Sequence, residues 1–335
     1  MELTTELEGI VKQLKKKFSN NNLISMGPRY EKAFGIPTGC FELDAKTQIG
    51  GIPRGRIIEI MGPASSGKTS LSLYLIKSLR EQFPEDKRPQ VIIDMERSID
   101  TGIIHSMGLP IDEIIFVYPR TAEEALESWL ELSESGQISF ILIDSVDAMV
   151  PEKILNGEFE DADMGTFGKL MSKAMRQGSK SGIDYNTTTI FINQQRDSLK
   201  MFGAAKTTPG GNALPYYASM RLETMSQKAS STVENAMTMR IKIIKNKCGP
   251  PCVEPIEFDF LYGKGPDPIA DLVNYGKSKG VLSLSSVARI KWPGTEEFET
   301  LCKGGGPGLI ELLREDPELH KKVKETIHGS EMRKE

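Results

Sequence analysis

The sequence predicts an α/β protein: a mostly parallel sheet covered by helices on both faces, with an N-terminal helix before it and a small α+β domain after it. Three observations predict this. Between residues 35 and 265, short apolar runs alternate with helical patterns, as expected where strands are buried on both faces and crossovers are helices. One of those runs, Ile57-Ile58-Glu59-Ile60-Met61, opens directly into Gly62-Pro63-Ala64-Ser65-Ser66-Gly67-Lys68-Thr69, and a helical pattern carrying Leu71, Leu73, Leu75 and Ile76 follows. After the turn Gly263-Lys264-Gly265-Pro266, a plausible boundary, the chain reads as a mixed segment between a helix at Ile269 to Lys279 and a helical stretch at Leu309 to Ile327.

Taken in order, Leu3, Leu7, Ile10, Val11, Leu14 and Phe18 recur at helical spacing, with Thr5 and Glu8 set as a capping box. The run Ser19-Asn20-Asn21-Asn22 ends that helix. Residues 1–34 are therefore a packing arm whose docking surface, its own body or a neighbouring copy, the pattern leaves open. Residues 35–265 are the core and 266–335 the C-terminal domain. Of the 335 residues, 39% are hydrophobic and 26% charged, an ordinary soluble composition. Lysine and arginine total 42 against 46 acids, a net charge of -4. Contact with nucleic acid must therefore come from a local patch. No apolar stretch reaches membrane-spanning length and no signal peptide opens the chain, which predicts a cytoplasmic protein. Cys40, Cys248, Cys252 and Cys302 are too few and scattered for a disulfide scaffold, and Cys248 with Cys252 lacks the second pair that a zinc site needs.

The stretch 62–69 has the G-x-x-x-x-G-K-[ST] form of a phosphate loop. Its glycines let several backbone N–H groups converge, and the helix that follows adds the partial positive charge of its N-terminus. Gly62 to Ser70 are the expected cofactor-binding segment, with Lys68 reaching the β- and γ-phosphates of ATP and the Thr69 hydroxyl ligating Mg²⁺.

Further strands are expected at Val91-Ile92-Ile93-Asp94, Ile114-Ile115-Phe116-Val117 and Phe140-Ile141-Leu142-Ile143-Asp144, with a helix at Ala122 to Leu132. Function in such a sheet sits at the carboxyl ends of its strands. Asp144 is placed there to hold Mg²⁺, and Glu96, just past Asp94, to polarise an attacking water. The strand Ile190-Phe191-Ile192-Asn193-Gln194 ends in amides able to report the γ-phosphate. Residues 195 to 211 then run without period. Arg196, Lys200 and Lys206 against Asp197 leave the segment basic, and Leu199, Met201 and Phe202 are apolar with no evident core. Such a loop suits a nucleic-acid backbone and its base stack. In the C-terminal domain Lys277, Lys279, Arg289, Lys291, Lys303 and His320-Lys321-Lys322 read equally as a duplex-binding surface or a solvated face.

In order and spacing these motifs resemble the bacterial-type RecA recombinase family, cellular or phage-encoded, from the N-terminal helix to about residue 328. The most specific stretches are Gly62 to Thr69, Ile143-Asp144-Ser145-Val146, Phe191 to Gln194, Gly210-Gly211-Asn212-Ala213-Leu214 and Ile244-Lys245-Asn246-Lys247. The resemblance implies a RecA-type ATPase core that uses ATP and Mg²⁺, forms a helical homopolymer on single-stranded DNA and exchanges strands with double-stranded DNA. It also implies single-strand-binding proteins, mediators and a LexA-type repressor as partners. By position it makes Lys68 and Glu96 catalytic, Gln194 the γ-phosphate sensor, and Lys245 and Lys247 the lysines that reach ATP on the adjacent protomer. Asp100 would face the adenine amino group beside Ile103. The first DNA loop would be Glu158 to Gly165 with Met164 at its tip. The second would be 195 to 210, with Arg196 and Lys200 on DNA and Leu199 wedged between bases. Gly165, Lys169, Ser172, Arg176, Gly210, Gly211 and Asn212 fall on further DNA contacts. The chain departs from the family pattern where Ile103 replaces an aromatic ring and where Lys169 replaces an arginine, giving up bidentate contact. It departs again at Asp197, in a second loop one residue shorter, and in lacking a long acidic tail. These departures are expected to alter nucleotide affinity, duplex access and Mg²⁺ dependence.

Two other classes share parts of the pattern. A hexameric P-loop DNA motor, a helicase, would also need Lys68 and Asp144, but presents an arginine finger in place of a lysine pair. A small-molecule P-loop kinase leaves the long basic loop and the N-terminal helix without a use.

Overall fold

The computed structural model describes residues 5–18, 34–156, 164–195, 209–225, 228–229 and 235–329. The chain divides after Ala33 into two compact units. The first contains α1 (Thr5–Lys17), where the helical spacing places it; the capping side chain of Thr5 and residues 196–208 of the expected second DNA loop lie outside the described residues.

The second unit opens with β1 (Gly35–Ile36), α2 (Phe41–Thr47) and β2 (Ile52–Pro53), which pairs back on β1. Then follow β3 (Ile57–Gly62), α3 (Lys68–Gln82), β4 (Gln90–Asp94), α4 (Thr101–Ser106), β5 (Ile114–Val117), α5 (Ala122–Glu134), β6 (Phe140–Asp144), α6 (Glu152–Asn156), α7 (Met164–Tyr185) and β7 (Thr188–Gln194). The core closes with α8 (Ala213–Tyr217), β8 (Met220–Thr224), β9 (Lys228–Ala229), β10 (Ala236–Asn246), β11 (Cys252–Leu261) and β12 (Gly265–Pro266). Among the described residues these strands form one sheet in the order β12-β11-β10-β8-β3-β7-β6-β4-β5, with β9 on β10. From β8 to β5 neighbouring strands are parallel; β10, β11 and β12 extend the sheet antiparallel. The predicted class is met.

The apolar runs are continuous because alternate residues serve opposite faces. Ile58, Ile60, Ile92, Leu142, Ile190 and Ile192 join Leu71, Leu75 and Ile76 of α3. Ile57, Val91, Ile93, Ile141, Ile143 and Phe191 join α5, α7 and α8. Each such fully buried side chain is worth roughly 1.5–3 kcal/mol relative to exposure. Close approach of α5 to α7 depends on Gly178, where a Cβ would come within 2.2 Å of the Trp129 ring. That indole packs edge-on against Phe191 and donates to Thr189 Oγ1.

The remaining elements are α9 (Pro268–Ser278), β13 (Leu282–Leu284), β14 (Val287–Ile290), β15 (Glu299–Lys303), α10 (Gly305–Glu315) and α11 (Pro317–Gly329). The three strands make a small antiparallel sheet, and Leu272, Ile290, Leu309, Val323 and Ile327 share a core of their own. The helical stretch expected from Leu309 to Ile327 is two helices. Pro317 has no N–H and drives the preceding residue out of the helical region; Asp316 sits at φ -119, ψ 91.

Candidate functional site

The phosphate loop joins β3 to α3 at the carboxyl edge of the sheet. Ser65 and Gly67 take left-handed backbone angles, φ 56 and φ 80, which curl the loop over the first turn of α3. At Gly62 a Cβ would lie 2.4 Å from the Thr224 carbonyl oxygen, so β8 can run this close only beside glycine. Ala64 and Ser65 face outward, whereas Ser66 is buried and its hydroxyl bonds Thr224 Oγ1 at 2.6 Å. Ser66 thereby ties the loop to the sheet through its side chain. Lys68 Nζ donates to the carbonyls of Pro63 (2.7 Å) and Gly62 (3.3 Å), so its charge lies inside the loop. Burial lowers its pKa, against the pull of Asp144, Glu96 and Asp147.

Thr69 Oγ1 donates to Asp144 Oδ2 at 2.6 Å. The two groups assigned to the metal thus sit together, one from the helix start and one from the end of β6. Burial pushes the Asp144 carboxyl up to about 6; the Thr69 hydrogen bond and Lys68 oppose this, and the charges of Glu96 and Asp94 add to it. Oxygen donors in a field this negative fit a hard divalent cation that takes its other ligands from phosphates and water. Glu96 is exposed just beyond β4, and Ser145 donates to its Oε1 at 2.7 Å. The Met95 N–H donates to the Asp144 carbonyl at 2.8 Å, and Asp94 accepts from the N–H groups of Ser98 and Ile99. These bonds shape the turn that presents Glu96. Asp94 and Ser145 were missed as supports for it, although each directly adjoins a chosen strand-end acid or its turn. If Asp144 holds the metal as the sequence assigns it, the metal must displace the Asp144 proton, and metal-dependent nucleotide binding should weaken as pH falls through about 6, by up to about tenfold per unit. Binding of a fluorescent ATP analogue from pH 7.5 to 5 checks this. Asp144→Asn should show only the nucleotide's own titration, and a flat wild-type profile would remove Asp144 from the metal site.

Gln194 ends β7 opposite Gly62 in the parallel register, and the next N–H, of Gln195, donates to the Gly62 carbonyl at 3.1 Å. Asp100 caps α4 by accepting from the Gly102 N–H at 2.7 Å, and Ile103, one turn on, is 41% exposed. Gly165, Lys169, Ser172 and Arg176 recur along α7 and line one groove with Gly168, Lys173 and Gln177. The sequence reading missed the last three, though the same helical spacing reaches them. Gly210 and Gly211, at φ 89 and φ 70, lie against this helix: a Cβ on Gly211 would stand 3.7 Å from the Gly168 Cα, and one on Gly210 beside Met171. Asn212 is the N-cap of α8. The α7 residues and the 210–212 turn are thus brought together. The side chain of Met164 and the residues Arg196, Leu199 and Lys200 lie outside the described residues.

Lys245 pairs with Arg221 across β8 and β10. Its Nζ donates to the carbonyls of Pro215 (2.6 Å) and Tyr216 (2.8 Å), and Lys247 Nζ to that of Tyr217 (3.4 Å). Both ammonium groups therefore rest on the carbonyls at the end of α8. Burial, Lys247 and Arg221 pull the Lys245 pKa down to about 8.

Fold and site define a P-loop nucleotide-binding protein whose parallel sheet is extended by an antiparallel lysine-bearing hairpin. A model of the RecA N-terminal domain matches residues 5–267. Protein RecA of Syntrophus aciditrophicus is 35% identical over 324 residues, covering 95% of this chain and 91% of the relative. Those of Thermus thermophilus and Rubrobacter xylanophilus are each 35% identical, over 96% and 98% of this chain and 93% and 95% of their own length. The chain belongs to the RecA family. Its function is that of a RecA recombinase, and the hexameric motor is not favoured. Membership implies in general a DNA-dependent ATPase that binds nucleotide with a metal ion, binds DNA and polymerises. Among the described residues no helix is long and apolar enough to cross a membrane.

Proposed function

We propose that this protein polymerises with ATP and Mg²⁺ on single-stranded DNA, pairs that strand with homologous duplex, and hydrolyses ATP at the contact between successive protomers. Lys68 and the loop N–H groups hold the phosphates, and Thr69 with Asp144 holds the metal. The metal would neutralise charge on the phosphates. Glu96 takes a proton from the attacking water, with Ser145 holding its carboxylate in place. Asp100 and Ile103 flank the base, with apolar contact in place of an aromatic stack. The groove on α7, with Gly210 to Asn212, receives the DNA backbone through Lys169 and Arg176 and through close approach at the glycines.

The observation that carries this reading is the register of β7 on β3. Gln194 stands opposite Gly62, so the strand that leads into the expected second DNA loop, 195 to 210, ends on the first glycine of the phosphate loop. Nucleotide and DNA elements thereby share one hydrogen-bonded strand pair. Electron microscopy with single-stranded DNA and a slowly hydrolysed ATP analogue tests the assembly. Continuous helical filaments are expected; closed rings, or no assembly, would overturn the reading.

A further inference from the structure

Glu59 interrupts an otherwise apolar strand, β3, and is fully buried. A buried carboxylate is costly unless paired, and here both oxygens are taken. Oε2 accepts from Arg221 Nε at 2.5 Å, and Oε1 from Asn193 Nδ2 at 3.0 Å. The same Asn193 nitrogen also donates to the Pro209 carbonyl at 3.2 Å. Glu59 thus bridges three adjacent strands, β7, β3 and β8, beneath the face where α7 and α8 pack.

The two ends of this chain are informative. Pro209, in the segment expected to be the second DNA loop (195 to 210), precedes Gly210 and Gly211, which lie against α7. Asn193 adjoins Gln194, beside the phosphate loop. Arg221 is the register partner of Lys245, whose ammonium rests on the last carbonyls of α8. A hydrophobic strand residue at 59 would pack as well without linking these parts. Asn193 Oδ1, fully buried, has no hydrogen-bond partner among the described residues, so the amide has a spare acceptor at the junction.

We propose that Asn193, Glu59 and Arg221 form a positioning relay that ties the closing end of the DNA loop to the strand pair carrying Lys245. Engagement of DNA at one end then sets the lysine that completes the neighbouring nucleotide site. This rests on the function proposed above. Glu59 and Asn193 are fully buried and spend their polar contacts on each other, Arg221 and Pro209. Of the two strand-end amides expected to report the γ-phosphate, Gln194 therefore keeps that role and Asn193 is a positioning residue. The role of the relay is to make hydrolysis depend on DNA, so the quantity to measure is the ratio of DNA-stimulated to DNA-free ATP hydrolysis.

Two variants cut the relay differently. Asn193→Ala removes the amide bridge. Glu59→Gln with Arg221→Met removes the charged pair together, which avoids stranding one buried charge. Both should bind an ATP analogue and show a DNA-free hydrolysis rate within about twofold of the unaltered protein, while the stimulation ratio falls by about tenfold or more, a loss in the usual range of coupling between sites. A retained ratio in either folded variant overturns the relay. So does a parallel fall in both rates, or loss of the native far-ultraviolet signal in both variants, since the network would then be a packing element. If the unaltered protein shows no DNA-stimulated hydrolysis, the proposed function itself fails, and that result is distinct from failure of the relay.

Discussion

Glu96→Gln protein is expected to bind ATP and DNA and to assemble, yet to hydrolyse ATP slower by about 10²-fold or more, the scale of a lost general base. The amide is the same size as the carboxylate and can still accept the Ser145 hydrogen bond at the position where Oε1 now accepts it. Geometry is therefore kept and basicity removed. Lys68→Ala should behave differently, since Lys68 lies inside the loop on the Gly62 and Pro63 carbonyls. Its loss removes charge from the phosphate site and should impair nucleotide binding and assembly along with turnover. Single-turnover hydrolysis alongside DNA binding in ATP separates the two. Hydrolysis by Glu96→Gln at the unaltered rate would exclude Glu96 as the base.

Lys247→Ala should give the other large effect: nucleotide binding by isolated protomers is kept, but DNA-stimulated hydrolysis is nearly abolished and filaments are short or absent. Lys245, near the end of β10, and Lys247, just past it, carry like charges that repel, and at the end of α8 the described partners of both are carbonyl oxygens. An anion shared by both would be far more favourable. Their own phosphate loop is served by Lys68; the likeness to the RecA family supplies the candidate anion, the triphosphate of the next protomer. Charge supplied there stabilises both contact and transition state, and a head-to-tail contact of this kind extends without closing. Mixing Lys247→Ala with Lys68→Ala protein is the decisive measurement. Some mixed contacts then join an intact Lys68 to an intact Lys247, and part of the hydrolysis should return. If the mixture stays as inactive as its components, catalysis is not shared.

Much of the candidate site was legible because it is local in sequence. The phosphate loop is eight consecutive residues between an apolar run and a helical pattern, and the strand-end acids of β4 and β6 mark where doubly buried strands stop. What escaped depends on neighbours far along the chain. Ser145 holds Glu96 across 49 residues, and Glu59 reads as a flaw in its strand until β7 and β8 bring Asn193 and Arg221 to it. The alternation Met237, Met239, Ile241, Ile243, buried against half-exposed Thr238, Arg240 and Lys242, does announce the long strand that carries Lys245. Pro317 likewise marks the helix break that the apolar spacing of 309 to 327 conceals.

The depressed Lys245 has a consequence for the proton inventory of assembly. Burial, Lys247 and Arg221 pull the group down to about 8; if it faces the neighbouring triphosphate as proposed, it would return toward the ordinary lysine value. Between those two values, each new contact takes up part of a proton from the solvent. Below about 8 the lysine is already charged and joining costs no uptake. As pH rises through that value, joining is progressively opposed. On that assignment filament length would become a function of proton activity, and the heat of elongation would carry the ionisation enthalpy of the surrounding buffer.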